Sequence, residues 1–237
     1  MRLDSLKICV LLIAMGVCLP ALAEEPAEAP NAIVQNYWEA ARGQAQAFRG
    51  ASMEVEIAGA LPKLKKNGKL HALRHISKVG RITYQVLGFE GDGAVKSQVI
   101  ARYLSAEVEA QKDEAPGLAV TPENYKFDYK GKVALDGRDT YLFQVTPRKK
   151  RAGLFKGKVW IDAATYLRVQ EAGYLVKSPA VFLKRVAFVR EYEIRDGMSV
   201  PKRTESTVDT RIVGKAELTI DYSNFSVGEE SGENEMR

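Results

Sequence analysis

Apolar residues first recur at helical spacing in the stretch that begins at Ile33. They lie three and four positions apart as far as Phe48 and stop before Gly50. This spacing predicts a helix from about Ala32 to Phe48, with Asn31 as its N-cap. The favoured role of its apolar face is packing on a sheet, and a lid over a binding site is the alternative.

A second helix is predicted from Ser97 to Lys112, because apolar residues again recur at helical spacing and the sequence Ala-Pro-Gly follows at 115–117. The apolar positions are Val99, Ile100, Tyr103, Leu104 and Val108. Both predicted helices therefore lie in the first half of the chain.

Most of the remaining chain alternates between apolar and polar residues, which is the pattern of a strand with one buried face. The alternation begins at Ser52, and the Asn-Gly pair at 67–68 is predicted to form the first turn between strands. Another hairpin is predicted around the Asp-Gly pair at 136–137. Further strands are predicted at 71–79, 81–89, 159–161, 167–176, 181–195, 199–213 and 216–225.

Successive strands joined by tight turns form an antiparallel meander, and strands longer than the usual five or six residues curl a twisted sheet. We therefore predict an α+β fold that is mostly β. It is a single long antiparallel meander curled into an incomplete barrel, with one or two helices covering the concave face. The concave side is either a filled core or a ligand cavity, and the pattern is the same for both.

The residues predicted to line this concave side are those that alternate toward it along the strands. They are Val55, Ile57, Tyr84, Val86, Phe127, Tyr129, Phe143, Phe188, Tyr192, Leu218 and Ile220.

Length and composition limit the number of domains. The chain has 237 residues, of which 46% are apolar and 27% are charged, as in an ordinary globular protein. It has no internal repeat of fixed period, so one domain is predicted at 32–227, after a polar linker at 24–31. The glycine-containing acidic stretch at 228–237 is predicted to be a disordered tail.

The first 23 residues have the pattern of a secretory signal peptide. Basic residues precede an apolar run at 8–19, and Ala21 and Ala23 provide a cleavage site after Ala23. The run is too short to span a bilayer, which needs roughly 20 residues. Lipid attachment at Cys18 is the less favoured alternative, because Val17 precedes it where such signals carry a small residue. We expect a periplasmic protein.

Chemistry-bearing motifs are scarce in this sequence. Cleavage after Ala23 removes Cys9 and Cys18, the two cysteines of the chain, so thiol chemistry is not expected. The two histidines, His71 and His75, are four residues apart on a predicted strand, about 13 Å from each other and too far to share a metal ion. No nucleophile, phosphate-binding or metalloprotease motif occurs, so neither an enzyme nor a cofactor is predicted.

A basic turn at 148–158 places two large apolar residues among six cations. It is a candidate contact with an anionic membrane or a partner, in which the apolar pair inserts at the lipid boundary. The favoured alternative is that this pair belongs to the core and the cations keep an edge soluble. The residues are Arg148, Lys149, Lys150, Arg151, Leu154 and Phe155.

Several stretches from Thr140 onward carry a family resemblance that covers about half of the chain. They are Tyr141–Pro147, Gly157–Asp162, Arg190–Tyr192, Asp196-Gly197, Val200-Pro201 and Leu218–Tyr222. Together they resemble the strand and turn sequence of the exported LolA/LolB-like, or outer-membrane lipoprotein-sorting, proteins. The resemblance implies an incomplete antiparallel barrel that holds acyl chains of lipids or lipoproteins in the bacterial envelope without catalysis.

Two functions therefore compete. The first is an exported carrier that shelters acyl chains of a lipid or lipoprotein in an apolar half-barrel. The second is an envelope sensor or protein-interaction module that uses the same concave sheet. The basic balance of the chain, a net charge of +5, favours an anionic membrane surface over nucleic acid as a partner because the protein is expected to be exported.

Overall fold

The structure is a computed structural model. It describes residues 28–112, 118–177, 183–210 and 214–228. The predicted signal peptide, the alternative lipid site at Cys18 and residues 229–237 of the predicted tail lie outside the described residues.

Ten strands follow one another in the described part of the chain. They are β1 (Ala51–Leu61), β2 (Lys66–Ile76), β3 (Ile82–Gly91), β4 (Tyr125–Leu135), β5 (Arg138–Pro147), β6 (Phe155–Asp162), β7 (Arg168–Leu175), β8 (Leu183–Arg195), β9 (Met198–Thr210) and β10 (Lys215–Val227).

These strands form a single antiparallel sheet in the order β3-β2-β1-β10-β9-β8-β7-β6-β5-β4. β3 and β4 are its two outer strands, so the sheet does not close into a barrel. Every described strand pair is antiparallel. The pairing of β1 with β10 joins the first three strands to the other seven in one sheet. The predicted fold class, a mostly β meander forming an incomplete barrel with helices, is confirmed.

Helix α1 runs from Pro30 to Ala47. Its N-cap is Ala29 and not Asn31, because Pro30 occupies the first turn, where the missing amide hydrogen costs nothing. Residues 28–31, predicted as part of a linker, are therefore partly helical.

The second helical region begins before Ser97. It comprises α2 (Gly93–Val95), a π-helical segment (Lys96–Ile100) and α3 (Ala101–Lys112) in direct succession. It begins early because the Asp92 side chain accepts a hydrogen bond from the Ala94 amide at 2.7 Å and caps its first turn. None of the helices in the described part of the chain has both the length and the apolar character needed to cross a membrane.

The helices cover one face of the sheet, here called the inner face, and two apolar clusters form beneath them. The first core joins β1, β2 and β10 to the second helical region, where Val95 and Ile100 are fully buried. The second core joins β4, β5, β6 and β8 to α1, through Ile33 and Tyr37.

The Asn-Gly pair at 67–68 does not form the first turn. Both residues lie in β2, where Asn67 pairs with Ala60 of β1. The turn is a 3₁₀ helix at Pro62–Leu64, followed by Lys65 in the left-handed region with φ of 53°. Proline starts this turn well because its φ is already helical. The predicted hairpin at Asp136-Gly137 is present, and both residues have positive φ.

Candidate functional site

The residues predicted to line the concave side fall into the two cores. Val55, Ile57, Leu218 and Ile220 are buried in the first core, and Tyr84 packs against it. In the second core, Phe143 and Phe188 are buried, and Phe127 and Tyr129 pack beside them. Tyr192 lies between the cores, in a polar cluster described below.

Val86 departs from the prediction, because its residue is 53% exposed. Its register partner on β2 is the buried Ala72, but β3 is an outer strand with no neighbour on its far side. A bulge at this point adds Leu87, which is 59% exposed, and ends the regular alternation of β3. Val86 is therefore exposed on an outer strand, and its part in lining the concave side stays a prediction.

A carboxylate lies on the inner face where the sequence pattern expects apolar residues. Glu171 of β7 is only 1% exposed and pairs in register with Val159 of the second core and with Arg190 of β8. Arg168 donates a hydrogen bond to its Oε1 at 2.9 Å, and the Tyr192 hydroxyl donates to its Oε2 at 3.1 Å. Arg190 forms an ion pair with the same Oε2 at 3.6 Å. These four residues are the Glu171 cluster.

The two arginines of the Glu171 cluster also pack on aromatic rings. The guanidinium carbon of Arg168 is 4.5 Å from the ring centre of Tyr192, and that of Arg190 is 4.4 Å from the ring centre of Phe188. Their side chains nevertheless remain 37% and 43% exposed. The inner face is thus accessible to solvent at Arg168 of β7 and Arg190 of β8, between the two cores, and this exposed region is here called the gap.

The charges of this cluster set the protonation of its members. Burial alone would raise the pKa of Glu171, but Arg168 and Arg190 outweigh it and hold the pKa of this carboxyl below its ordinary value. Burial raises the pKa of Tyr192 to about 12. Glu171 is therefore ionised at neutral pH, and the cluster carries two positive charges against one negative charge.

A second polar group ties α3 to the sheet. Arg74 of β2 donates a hydrogen bond to Glu107 of α3 at 3.0 Å and to the Tyr84 hydroxyl at 3.2 Å. The Tyr84 hydroxyl also donates to Glu107. Burial and the adjacent Glu107 carboxylate together raise the pKa of Tyr84, so this hydroxyl stays protonated.

Helix α1 is held at both ends by polar contacts. Gln44 accepts a hydrogen bond from the Ser199 amide at 2.8 Å, at the turn between β8 and β9. Before the helix, Glu28 accepts hydrogen bonds from the hydroxyls of Tyr141, at 3.2 Å, and Tyr166, at 2.9 Å. The end of the predicted linker is therefore attached to the sheet, because its carboxylate is bound by two tyrosines.

The basic turn does not present its apolar pair to a membrane. Leu154 is 2% exposed and Phe155 is 3% exposed, and both belong to the second core. The Phe155 ring packs edge-on against Phe188 at 5.1 Å. The alternative interpretation, in which this pair is part of the core, is the one that fits. A membrane or partner contact by Arg148, Lys149, Lys150 and Arg151 stays a prediction.

The histidines lie on β2, as predicted. His71 is exposed on the outer face, with its Nε2 3.7 Å from the Glu56 carboxylate. Within the described ranges, no group of three or more His, Cys, Asp or Glu side chains is placed to hold a metal ion.

A cleft of about 260 Å³ lies beside the Glu171 cluster. Tyr192 forms part of its wall, with mostly polar residues from β7, β8, β9 and the hairpin of β4 and β5, whereas Arg168, Glu171 and Arg190 do not line it. The cleft brings solvent to the side of Tyr192.

Sequence reasoning missed Glu171, Arg168 and Arg190. A signal for Arg190 was present, because it lies between Phe188 and Tyr192 at a spacing of two and so shares their face. No such signal marks Arg168, because a register shift between β6 and β7 at Trp160 and Ile161 sets its face.

Comparisons with known proteins give structural matches. No protein-family model matches the chain, and no curated protein does. A DUF1329 family protein from Desulfovibrio piger is 16% identical with a TM-score of 0.44, over 84% of this chain and 94% of that one. A LolA superfamily protein from Nitrosomonas europaea is 12% identical with a TM-score of 0.38, over 83% and 94%. A lipoprotein-sorting protein domain from Vibrio parahaemolyticus is 15% identical with a TM-score of 0.38, over the same 83% and 94%.

Proposed function

We propose that this protein is an exported, non-catalytic carrier that shelters acyl chains of a lipid or lipoprotein on the inner face of its sheet. The observation that supports the proposal is the accessible gap at β8 between two apolar cores. A closed core would bury every inner side chain, whereas Arg168 and Arg190 remain 37% and 43% exposed. The apolar residues on either side of the gap are buried in this structure, so an acyl chain would contact them by displacing the side chains that cover them.

The strands beneath the gap provide this apolar surface. Phe188 of β8 pairs in register with Ser206 of β9, and Ser206 pairs with Leu218 of β10. Two residues further along the strands, on the same face, Arg190 pairs with Thr204, and Thr204 pairs with Ile220. β8 and β10 thus contribute the buried apolar residues Phe188, Leu218 and Ile220 on either side of the polar Ser206 and Thr204 of β9, and Arg190 adds the charge on β8.

The first experiment tests for bound lipid directly. The protein is purified from the periplasm of expressing cells, extracted with organic solvent, and the extract is analysed by mass spectrometry. We expect a stoichiometric acyl lipid. The delipidated protein is then titrated with a fluorescent fatty acid, and we expect saturable binding. An extract without lipid, together with no binding of the probe, would overturn the proposal.

A pair of variants locates the binding in the gap. Ser206→Phe places a ring on the inner face between Phe188 and Leu218, and we expect probe binding to weaken about tenfold because the ring occupies the proposed space. Thr207→Phe places the same ring on the outer face of β9 and is the matched control. Equal binding by the two variants, with both folded by circular dichroism, would contradict binding in the gap.

The alternative function is an envelope sensor or protein-interaction module. The polar centre of the gap favours it, because a peptide backbone could hydrogen-bond to the half-exposed arginines. It predicts that Ser206→Phe abolishes capture of an envelope protein in a pull-down, while the organic extract contains no lipid.

Localisation has its own test. We propose that export removes residues 1–23 and leaves a mature periplasmic chain that begins at Glu24. The intact mass of protein from the periplasmic fraction should equal that of residues 24–237. A mass equal to that of a chain beginning at Cys18 with an attached lipid would contradict this proposal and would show a lipid-anchored protein instead.

A further inference from the structure

We propose that the bound lipid carries an anionic group, a carboxylate or a phosphate, and that Arg190 binds this group in the gap. The inference rests on the proposed function, because it names the chemistry of the ligand that the gap would hold. It is carried by the position, the contacts and the charge of Arg190 on the inner face.

Arg190 has donors to spare. A guanidinium presents five N–H groups in a planar fork. Its contacts with described residues are an ion pair with Glu171 at 3.6 Å, which is longer than a hydrogen bond, and the face of the Phe188 ring at 4.4 Å. The Arg190 side chain therefore makes no hydrogen bond to the described part of the chain, although it lies on the inner face.

Arg168 explains why Glu171 does not satisfy Arg190. Arg168 hydrogen-bonds one oxygen of Glu171 at 2.9 Å, and Tyr192 hydrogen-bonds the other at 3.1 Å. One carboxylate thus serves two guanidiniums and a hydroxyl. The cluster keeps one positive charge in excess, and this charge lies at Arg190, the partner with the longer contact.

Among the described side chains, the groups that face Arg190 from α3 and β10 leave this charge uncompensated. Tyr103 of α3 and Tyr222 of β10 are close enough to interact electrostatically with it, and both are neutral because burial raises their pKa values. On α3, the Glu107 carboxylate is bound by Arg74 and Tyr84. An incoming anion would therefore meet an arginine whose charge Glu107 does not neutralise.

An anionic lipid fits both parts of the gap. Its carboxylate or phosphate would accept two parallel hydrogen bonds from the Arg190 fork, a geometry that arginine favours. Its chain would pass over Phe188 and Leu218. A neutral lipid would leave the guanidinium unpaired and would displace water from it, which is unfavourable.

The test compares matched ligands on the delipidated protein by calorimetry. Oleate and methyl oleate differ in the charge of the head, and lysophosphatidylglycerol represents the phosphate source. We expect oleate or lysophosphatidylglycerol to bind at least tenfold more tightly than methyl oleate, and the tighter of the two identifies the source of the anion. Equal affinity for oleate, lysophosphatidylglycerol and methyl oleate would overturn the inference and leave the proposed function standing. If none of the three acyl compounds binds, both the proposed function and this inference are contradicted.

Variants assign the effect to Arg190. Arg190→Gln should weaken the preferred anion about tenfold and change methyl oleate less than twofold, because only the charged contact is lost. Arg190→Lys keeps the positive charge beside Glu171, so it serves as the variant that should still fold if Arg190→Gln does not. It should give an intermediate affinity for the anion, because a lysine lacks the planar fork of donors. Arg203→Gln is the control, since Arg203 lies on the outer face of β9 in contact with Asp221 and Glu205. An unchanged affinity for the anion in both Arg190 variants would contradict the assignment.

Discussion

Glu171 shows how one buried residue can depend on its neighbours. A carboxylate that is 1% exposed is unfavourable by itself, and it is ionised here because two arginines and a tyrosine hydroxyl surround it. The arginines are only half-buried, so water still solvates them. The energetic value of the cluster is therefore smaller than that of a fully buried ion pair.

We expect Glu171→Gln to lower the free energy of unfolding by about 2 kcal/mol at pH 7, below the 3–5 kcal/mol typical of a fully buried pair because water can reach both arginines. Urea unfolding followed by circular dichroism measures this. The control is Glu205→Gln, because Glu205 is an outer-face carboxylate that also contacts an arginine. We expect its effect to stay below about 0.5 kcal/mol. Equal losses for the two variants would show that the Glu171 cluster adds no stability beyond a surface pair.

The pH dependence of the same variant tests the ionisation of Glu171. Its pKa is held below the ordinary value in the folded state, so its contribution is complete above the unfolded pKa of about 4.5 and is lost as the pH falls through the folded value. The difference in unfolding free energy between the wild type and Glu171→Gln should therefore shrink below about pH 4.5. A difference that stays constant to pH 3 would contradict an ionised Glu171.

The same residues show what the sequence could tell. Alternation placed Phe143, Phe188, Leu218 and Ile220 on the inner face, where they are buried. Alternation could not place Arg168 on the inner face, because a register shift between β6 and β7 interrupts the alternation. It also could not reveal that the Arg190 side chain lacks a hydrogen bond, because this depends on which side chains donate to Glu171. The polar centre of the site therefore depends on which side chains are neighbours in the folded structure, and the spacing of residues along the sequence does not reveal it.

At the scale of elements, the contact between β1 and the π-helical segment depends on Gly59. Gly59 is a buried inner-face position of β1. A Cβ atom there would lie 2.8 Å from Val95 and 3.2 Å from Ile100, which is closer than such atoms normally approach. The missing side chain lets the helical region lie directly on the strand.

We therefore expect Gly59→Val to destabilise the protein by about 1–3 kcal/mol, because the added side chain overpacks the first core. The matched control is Gly88→Val on β3, where a Cβ would meet nothing within 4 Å. Thermal unfolding of both variants measures the effect. An equal loss for the two would show that removing a strand glycine, and not crowding at Val95 and Ile100, is the cause.

The hydrophobic period and the turn residues of the sequence predicted most helices and strands, but they did not predict where these elements begin and end. The two helical regions and the ten strands match alternation and helical spacing along the chain, and the Asp-Gly turns at 136–137 and 196–197 are present. The Asn-Gly pair failed as a turn signal because Pro62 starts a 3₁₀ turn before it. Local signals of this kind compete, and the pairing of β1 with β2 decides between them.

At the scale of the whole molecule, the two outer strands differ in how they are protected. β4 carries three lysines, at 126, 130 and 132, all exposed, and such charges discourage pairing with another chain. β3 carries no lysine, arginine or proline along Ile82–Gly91, and its Val86 and Leu87 are 53% and 59% exposed. Unwanted association is therefore expected to begin at β3.

We expect Leu87→Lys to raise the concentration at which the protein associates at least several-fold, because a charge on an exposed outer strand opposes edge-to-edge pairing. The control is Ala134→Lys, an exposed position on β4 beside existing lysines, which should change association little. Light scattering over a concentration series at fixed ionic strength gives both values, with circular dichroism as a check of folding. If Ala134→Lys suppresses association and Leu87→Lys does not, association proceeds through β4 in spite of its charges.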